Sequence, residues 1–389
     1  MSWLMALFFL LISGFYGTRA RMRYITGQGT KPAVMPKFYG YVTSVYGAMA
    51  FALVFLLCTL TEVAPPILTG FMGALAVVLA TMMGQSSRFH ARRHMEGIIR
   101  KVLLVAALIA VVLTFAIVLS LALEALQFFQ RVPLSHFLFG TSWAPQSGAS
   151  GEAQFGIIPL LGGTLMITGL ALSLALPLGL MSAVFLSEYA SSPQRKVLKP
   201  MVEVLAGIPT IVYGFFAISI VMPGLQHLGE WLHIPISAES ALGVSLVMGL
   251  LILPLIASLS DDALRAVPQA LRDNSLALGA TEAETILRVV LPAATPGIIA
   301  GFLLGLSRAI GETMLVVMAA GLSANLTLNP LESVTTITVQ IVSLLTGDQE
   351  YGSTRTLSAF ALGLVLFVLT FLLNILAVRV VRHYREKYA

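Results

Sequence analysis

The sequence predicts an all-α, polytopic integral membrane protein. Hydrophobic residues make up 57% of the 389 residues and charged residues only 11%, whereas ordinary soluble domains carry about 25% charged residues. Apolar runs of about 20 residues, long enough to cross a bilayer as helices, recur along the chain. Lys and Arg gather in alternate connections between these runs, which is the arrangement that orients membrane helices.

We expect nine membrane spans. The first is short, the third is interrupted by glycine, and the fifth is long enough to tilt or to include an interfacial piece. Positive charge follows the first run instead of preceding it, which favours a retained helix over a cleaved signal peptide. The spans are expected near residues 2–17, 39–60, 66–84, 102–124, 158–187, 200–222, 241–260, 296–319 and 356–379.

The basic residues predict the orientation of these spans. Nearly all the Lys and Arg residues outside the spans lie in connections 18–38, 85–101, 189–199 and 261–292 or in the C-terminal tail. The two exceptions are Arg131 and Arg355. Basic connections stay on the inner side of the membrane, so the C-terminus is expected in the cytoplasm. Nine spans then place the N-terminus outside. The net charge of +5 is thus a sign of topology, and no basic face with interleaved aromatics indicates a nucleic-acid partner.

The longest inner connection, residues 261–292, contains a polar segment between two apolar stretches. Residues 268–292, which we name the hairpin, have the pattern of two short helices joined at a glycine. Pro268 suits the first turn of a helix, and Gly279 suits a left-handed helix cap. The hairpin is polar and buries little by itself, so it is expected to present a surface to a partner.

The second arm of the hairpin has its own start and stop signals. Thr281 and Glu284 have the spacing of a capping box, which begins a helix. Leu291 and Pro292 are expected to end that helix before the next span. The alternative is that the whole segment is a simple amphipathic connector.

The hairpin resembles the "EAA" loop of ABC-importer permeases, whose pattern is E-A-A-x3-G-x9-I-x-L-P. In that family the first short helix docks into a groove on a cytoplasmic ATPase and passes ATP-driven motion to the membrane helices. Three small or acidic residues stand here for Glu-Ala-Ala, and a valine stands for Ile. The matching positions are Asp273, Asn274, Ser275, Gly279, Val289, Leu291 and Pro292.

Two further stretches resemble phosphate-importer permeases, especially the PstC type. They are "LPLGLMSAVFLSEYASSPQRKVLKPMVEVLAGIPTIVYGFFAI" (176–218) and "GLSRAIGETMLVVMAAG" (305–321). The sister PstA type shares much of this pattern. The resemblance implies a six-helix type I ABC-importer permease core over residues 102–389. Residues 1–101 are then an N-terminal extension with about three further membrane helices and basic cytoplasmic loops.

The resemblance also implies partners. A second, PstA-type permease would complete the membrane pathway, and an ATPase dimer carrying ATP-Mg would dock on the hairpin. A periplasmic phosphate-binding protein would dock on the outside connections 125–157, 223–240 and 320–355. No cofactor is expected on this chain itself.

Arg308 is the strongest candidate for a site residue. It lies near the middle of the expected span 296–319, where an Arg costs about 2.5–3.5 kcal/mol on insertion scales. Glu312 follows four residues later, on the same helical face. Either the two form an internal ion pair, or they line a substrate pathway, where guanidinium matches phosphate oxygens. The phosphate-importer motif carries Arg and Glu at these positions.

Glu312 suits phosphate in particular. Near neutral pH phosphate carries a proton that it can donate to a carboxylate. Sulfate has no such proton and would be repelled by the negative charge of the carboxylate. We therefore expect Arg308 and Glu312 to form an anion-binding site in the substrate pathway.

Other polar residues rank lower as candidates. Gly207 and Pro209 weaken helix hydrogen bonding and are expected to mark a hinge. Packing or interfacial positions explain the others at least as well as a pathway does. They are Glu188, Tyr189, Glu203, Thr210 and Tyr213.

Several chemistries have no sequence signature here. The chain has no G-x-x-x-x-G-K-[ST] phosphate loop and no G-x-S-x-G elbow, so we expect neither ATP hydrolysis nor other bond chemistry on it. His90 and His94 have a metal-binding spacing but sit among arginines that repel a cation, so no metal site is expected. The single Cys58 excludes an intramolecular disulfide. The alternatives left open are a permease for molybdate or sulfate, a stand-alone secondary transporter or channel, and, more weakly, a membrane enzyme.

Overall fold

A computed structural model of the chain describes residues 91–146, 153–346 and 352–388, together with Tyr16 and Arg19. The expected spans 39–60 and 66–84, and all of 2–17 except Tyr16, lie outside these described residues. The chain divides into two compact units, Met1–Ala116 and Ile117–Ala389. The description below concerns the second unit and the helix that leads into it.

The described residues are almost entirely helical. The helices are α1 (Ala91–Arg131), α2 (Leu134–Phe139), α3 (Ile158–Val184), α4 (Ser192–Ala206), α5 (Thr210–Phe216), α6 (Met222–Leu232), α7 (Ala241–Arg265), α8 (Gln269–Ala277), α9 (Glu282–Thr285), α10 (Leu291–Ile310), α11 (Met314–Ala319), α12 (Ile337–Leu345) and α13 (Thr354–Tyr388). Wide π-helical turns at Phe185–Tyr189, Ala217–Val221 and Ile286–Val290 extend α3, join α5 to α6 and join α9 to α10. Strands β1 (Trp143–Ala144) and β2 (Gln154–Phe155) form a small antiparallel pair.

Six of these helical segments are long and apolar enough to cross a membrane. They are Ile99–Arg131, Ile158–Tyr189, Thr210–Leu232, Ala241–Arg265, Glu282–Ile310 and Thr354–Arg382. The predicted all-α membrane fold with a six-helix core is therefore confirmed for the described part of the chain.

The predicted span 200–222 is wrong in its bounds. Residues Ser192–Ala206 form the separate amphipathic helix α4, which has no buried residue. The span itself starts at Thr210. The chain breaks between the two at Gly207 and Pro209, as the sequence suggested. Pro209 adopts an extended conformation (φ −57°, ψ 137°) and has no N–H to continue the helix.

The predicted span 296–319 is also shifted. The helix begins at Glu282 and ends at Ile310, so the expected stop at Leu291 and Pro292 is wrong. The π turn Ile286–Val290 leads directly into α10, with Pro292 in its first turn. A proline is tolerated there because the first-turn N–H groups are not needed by the helix, and the wider π turn makes room for the ring.

Helix α7 is the most buried of the six spans and packs mainly against α3 and α10. Small residues permit this close approach. A Cβ added to Gly249 would lie 3.0 Å from the carbonyl oxygen of Ala171 in α3. One added to Gly297 of α10 would lie 2.5 Å from Cβ of Ala263 in α7. The helices that flank α7 therefore contact it at backbone distance.

A buried carboxylate holds the amphipathic helix α4 against the inner end of α7. Asp261 is 1% exposed, and Arg195 Nη2 donates to both its oxygens at 3.0 and 2.8 Å. Lys199 Nζ donates to the same carboxylate at 3.0 Å, and this hydrogen bond raises the pKa of Lys199 above its usual value. Arg265 Nε lies 3.6 Å from it. We name these four residues the Asp261 cluster.

Replacing the buried acid is expected to destabilise the protein strongly. Asp261→Asn leaves two cations of α4 without their counter-charge, which costs on the order of 3 kcal/mol. The thermal unfolding midpoint of the detergent-solubilised protein should fall. Asp262→Asn is the matched control. Asp262 also pairs with Lys199, at 3.4 Å, but its side chain is exposed, and an exposed pair is expected to contribute less than about 1 kcal/mol. Equal midpoints for the two variants would contradict this role of Asp261.

Candidate functional site

The span that carries Arg308 ends in a helix break. Gly311 is the C-cap of α10, and the break Gly311–Thr313 separates α10 from the short helix α11. The amides of Gly311 and Glu312 still donate to carbonyls of α10, each at 3.3 Å. Arg308 lies in the last turn of α10, where a cation interacts favourably with the helix dipole. The sequence had placed it near the middle of a longer helix, and that expectation is wrong.

The Arg308 side chain points away from the core of this unit. Gly305, one turn earlier, faces Ile252 and Ile256 of α7, whereas Leu304 and Arg308 are exposed. Within the described ranges no carboxylate or hydrogen-bond acceptor contacts the guanidinium. An Arg facing lipid is costly, so this one requires polar surroundings that the described residues do not supply.

Glu312 does not share a helical face with Arg308, because α10 has already ended at Ile310. This expectation from the four-residue spacing is wrong. The Glu312 carboxylate instead accepts a weak hydrogen bond from the Leu315 amide at 3.5 Å, at the start of α11. No ion pair joins Glu312 to Arg308 in the part of the chain that the structure describes. The two groups are therefore free to meet a third charged species rather than each other.

A buried polar segment holds the break in place. Residues 333–340 ("SVTTITVQ"), which lead into α12 and form its first turn, are almost all buried. Thr338 Oγ1 donates to the Glu312 carbonyl at 3.0 Å and contacts Thr336 Oγ1 at 2.9 Å. Gln340 Nε2 donates to the Leu322 carbonyl at 2.9 Å. Irregular backbone at membrane depth is stable only when its polar groups are satisfied in this way.

The same segment packs closely against α3. The Ile337 amide donates to Thr164 Oγ1 at 3.1 Å, and Gly163 leaves room for the Thr335 carbonyl, which any Cβ there would strike. Trp143 Nε1 donates to Gln340 Oε1 at 3.0 Å. Sequence reasoning missed this network. The run of threonines among apolar residues was its only signal.

The hairpin has the local geometry that its sequence predicts. Gly279 has φ +87°, a conformation that favours glycine, and it follows directly on the first arm, α8. Thr281 and Glu284 form the expected capping box, with the Glu284 amide donating to Thr281 Oγ1 at 3.3 Å and the Thr281 amide donating to Glu284 Oε2 at 3.0 Å. The Ser275 and Thr285 hydroxyls join the two arms at 2.9 Å.

The first arm of the hairpin is open to a partner. Helix α8 has no buried residue, and Asp273 and Asn274 are exposed. Leu278, at the tip beside Gly279, is 90% exposed. Val289, Leu291 and Pro292 lie in the second arm, which runs on into α10. An apolar tip on a polar arm is typical of a docking surface rather than of a solvated connector.

The structure gives several lower-ranked candidates a structural role. Tyr213 is buried, and its hydroxyl donates to the Leu205 carbonyl at 2.8 Å, which bridges the break at Gly207 and Pro209. Thr210 begins α5, and Glu203 is exposed on α4. His90 and the His94 side chain lie outside the described part of the chain.

Glu188 lies at the end of the span Ile158–Tyr189, as expected, but it also has a long-range partner. Its side chain is 12% exposed in the π turn after α3, and its carboxylate lies 3.0 Å from the guanidinium of Arg272 in α8, whereas its neighbour Tyr189 is exposed. Sequence reasoning missed this pair because its members stand 84 positions apart.

Comparisons with known proteins match this architecture. The family described as "Binding-protein-dependent transport system inner membrane component" matches residues 175–386. The "Probable ABC transporter permease protein YqgH" of Bacillus subtilis is 34% identical over 279 residues, which are 71% of this chain and 88% of that protein. The "Phosphate transport system permease protein PstC" of Mesorhizobium japonicum is 32% identical over 287 residues, covering 70% of this chain and 85% of that protein.

A PstA-type relative and a solved structure extend the comparison. "Phosphate transport system permease protein PstA 1" of Mycobacterium tuberculosis is 36% identical over 233 residues, covering 60% of this chain and 72% of that protein. A bacterial ABC transporter involved in the import of alginate has the same fold, with a TM-score of 0.52 at 18% identity over 75% of this chain and 99% of that chain. The family model matches more than half of this chain. This match shows that the chain belongs to the binding-protein-dependent transport system inner membrane component family.

Proposed function

We propose that this chain is the permease subunit of an ATP-driven importer that carries inorganic phosphate across the cytoplasmic membrane. Its membership of the permease family and its PstC- and PstA-type relatives support this function. The observation that carries the proposal is Arg308, an exposed cation in the last turn of a membrane span, beside a helix break and with no partner in the described residues. A guanidinium so placed suits the oxygens of a passing phosphate.

The second permease subunit completes the surroundings of Arg308. Because Arg308 faces away from α7, the polar pathway lies between this chain and a partner of the same kind, proposed to be PstA type. Helices of both subunits then alternate between outward- and inward-open states. Glu312, within the break Gly311–Thr313, contributes a carboxylate to the same pathway.

The remaining partners dock at the two ends of the spans. The exposed arm α8 and the apolar tip at Leu278 offer a surface to an ATPase dimer, which binds and hydrolyses ATP-Mg. This chain contributes no ATP site of its own. A periplasmic phosphate-binding protein docks on the connections 132–157, 233–240 and 320–353, which lie between the spans at the opposite end. The hairpin favours this arrangement over a stand-alone transporter, which has no use for an ATPase dock.

The proposed orientation has the C-terminus in the cytoplasm and, with nine spans, the N-terminus in the periplasm. In a variant with Cys58 replaced by Ser, Leu328→Cys and Ser2→Cys should react with a membrane-impermeant maleimide from outside intact spheroplasts. Leu328 is 96% exposed and lies in an outer connection. Leu278→Cys, in the hairpin, should react only after permeabilisation. Labelling of Leu278→Cys in intact spheroplasts would reverse the orientation.

Removing the candidate anion contact is expected to abolish most phosphate transport. Arg308→Ala loses charge-assisted hydrogen bonds to the anion, so ATP-dependent phosphate uptake should fall roughly 10- to 100-fold. Radiolabelled phosphate, sulfate and molybdate uptake would be measured in parallel. Arg379→Ala is the control, because Arg379 is exposed at the inner end of α13 with no ion pair among the described residues.

The pattern of losses identifies the error if the proposal fails. Phosphate uptake that survives deletion of the chain would refute the substrate, and loss of sulfate or molybdate uptake instead would identify another oxyanion. Phosphate uptake that persists without the ATPase would support a stand-alone transporter.

The carboxylate of Glu312 is expected to favour protonated phosphate over sulfate. Glu312→Gln replaces the charged acceptor with a neutral amide, which accepts the phosphate proton more weakly and no longer repels sulfate, so the ratio of phosphate to sulfate flux should drop by roughly tenfold. The two fluxes are compared in proteoliposomes containing the complete transporter at saturating anion. Glu203→Gln, an exposed carboxylate on α4, should leave the ratio unchanged. An unchanged ratio in Glu312→Gln would rule out this role.

A further inference from the structure

We infer that Arg272 and Glu188 are positioning residues that join the hairpin rigidly to two membrane spans, so that motion of a docked ATPase reaches both spans through one guanidinium. This inference rests on the proposed function, since it assigns a role within the coupling surface. It concerns two residues outside the positions of the EAA-like pattern.

One side chain joins three elements. Arg272 belongs to α8, and its Nη2 donates to Glu188 Oε1 at 3.0 Å in the π turn that ends the span Ile158–Tyr189. The same Nη2 donates to the Leu264 carbonyl at 2.8 Å, at the inner end of α7, and Nη1 donates to the Val267 carbonyl at 2.6 Å. Nε lies 3.4 Å from Glu188 Oε2. The first hairpin arm is thus tied to α3 and α7 together.

These contacts need the planar fork of an arginine. A guanidinium presents five donors in fixed directions, so it can bind a carboxylate and backbone carbonyls simultaneously. The carbonyls of Leu264 and Val267 lie at the C-terminal end of α7, where a cation interacts favourably with the helix dipole. A lysine could pair with Glu188 but could not reach all of these acceptors in the same geometry.

Burial makes this pair different from the other ion pair of the hairpin. The side chains of Arg272 and Glu188 are 13% and 12% exposed, at 3.0 Å. Those of Arg288 and Glu284 are 80% and 46% exposed, at 4.0 Å. Water and salt screen the second pair, whereas the first is largely shielded. The largely shielded pair is therefore the one better able to resist displacement of the first arm.

The first arm depends on this attachment because it has few other contacts that hold it to the rest of the protein. Helix α8 buries no residue, and its other side-chain link to the rest of the hairpin is the bond between the Ser275 and Thr285 hydroxyls. Ser187 Oγ donates to Glu188 Oε1 at 2.8 Å, which fixes the carboxylate that receives Arg272. A force on α8 therefore reaches α3 and the C-terminal end of α7 through Arg272, whereas the second arm continues directly into α10.

The test separates coupling from simple stability. The complete transporter is reconstituted in proteoliposomes with Glu188→Gln/Arg272→Gln, and phosphate uptake and ATP hydrolysis are measured in the same vesicles. The double variant leaves no buried unpaired charge, so it should assemble. The phosphate transported per ATP should fall at least about fivefold, the lower range of measured coupling between sites. A role in stability alone would lower both rates in proportion.

Two more variants keep the inference open to refutation. Arg272→Lys keeps the charge pair but not the forked contacts, so its phosphate-to-ATP ratio should lie between those of the wild type and the double variant. Arg379→Gln, the same substitution at an exposed site, should keep the wild-type ratio. A wild-type ratio in the double variant or in Arg272→Lys overturns the inference. A wild-type protein without ATP-driven phosphate uptake refutes the proposed function instead.

Discussion

A charge that is shielded from water needs a partner, and this constraint organises one end of the described spans. Asp261 is buried and bound by Arg195 and Lys199, which holds the amphipathic helix α4 on α7. Glu188 is largely shielded and bound by Arg272, which holds the hairpin on α3 and α7. Both pairs lie where spans meet the basic connections, so the charges that predict topology in the sequence also connect the elements at that surface.

Arg308 differs from these pairs. It finds no counter-charge within the described residues, and it faces away from the most buried helix. This arrangement is the one expected of the proposed two-subunit pathway. The backbone beside Arg308 is held by this chain's own threonines, because Thr338 donates to the Glu312 carbonyl and Thr313 donates to the Gly311 carbonyl.

Local signals predicted local structure well. Gly279, Thr281 and Glu284 act within a few residues of chain, and the cap and capping box form where their spacing indicates. Span boundaries were less predictable where proline was involved. Pro292 was expected to end a helix, but a π turn absorbs it, while Pro209 does end one. The difference lies in whether the surrounding helix needs the missing N–H.

The amino-acid sequence by itself determined the membrane class, the six-helix core and the form of the hairpin, because hydropathy and turn chemistry act over short distances. Only the tertiary structure decided which charges pair. Glu188 and Arg272 are 84 positions apart, and Asp261 and Arg195 are 66 apart. The relation of Arg308 to Glu312 was likewise decided by where α10 ends, since four residues bring side chains together only while the helix continues.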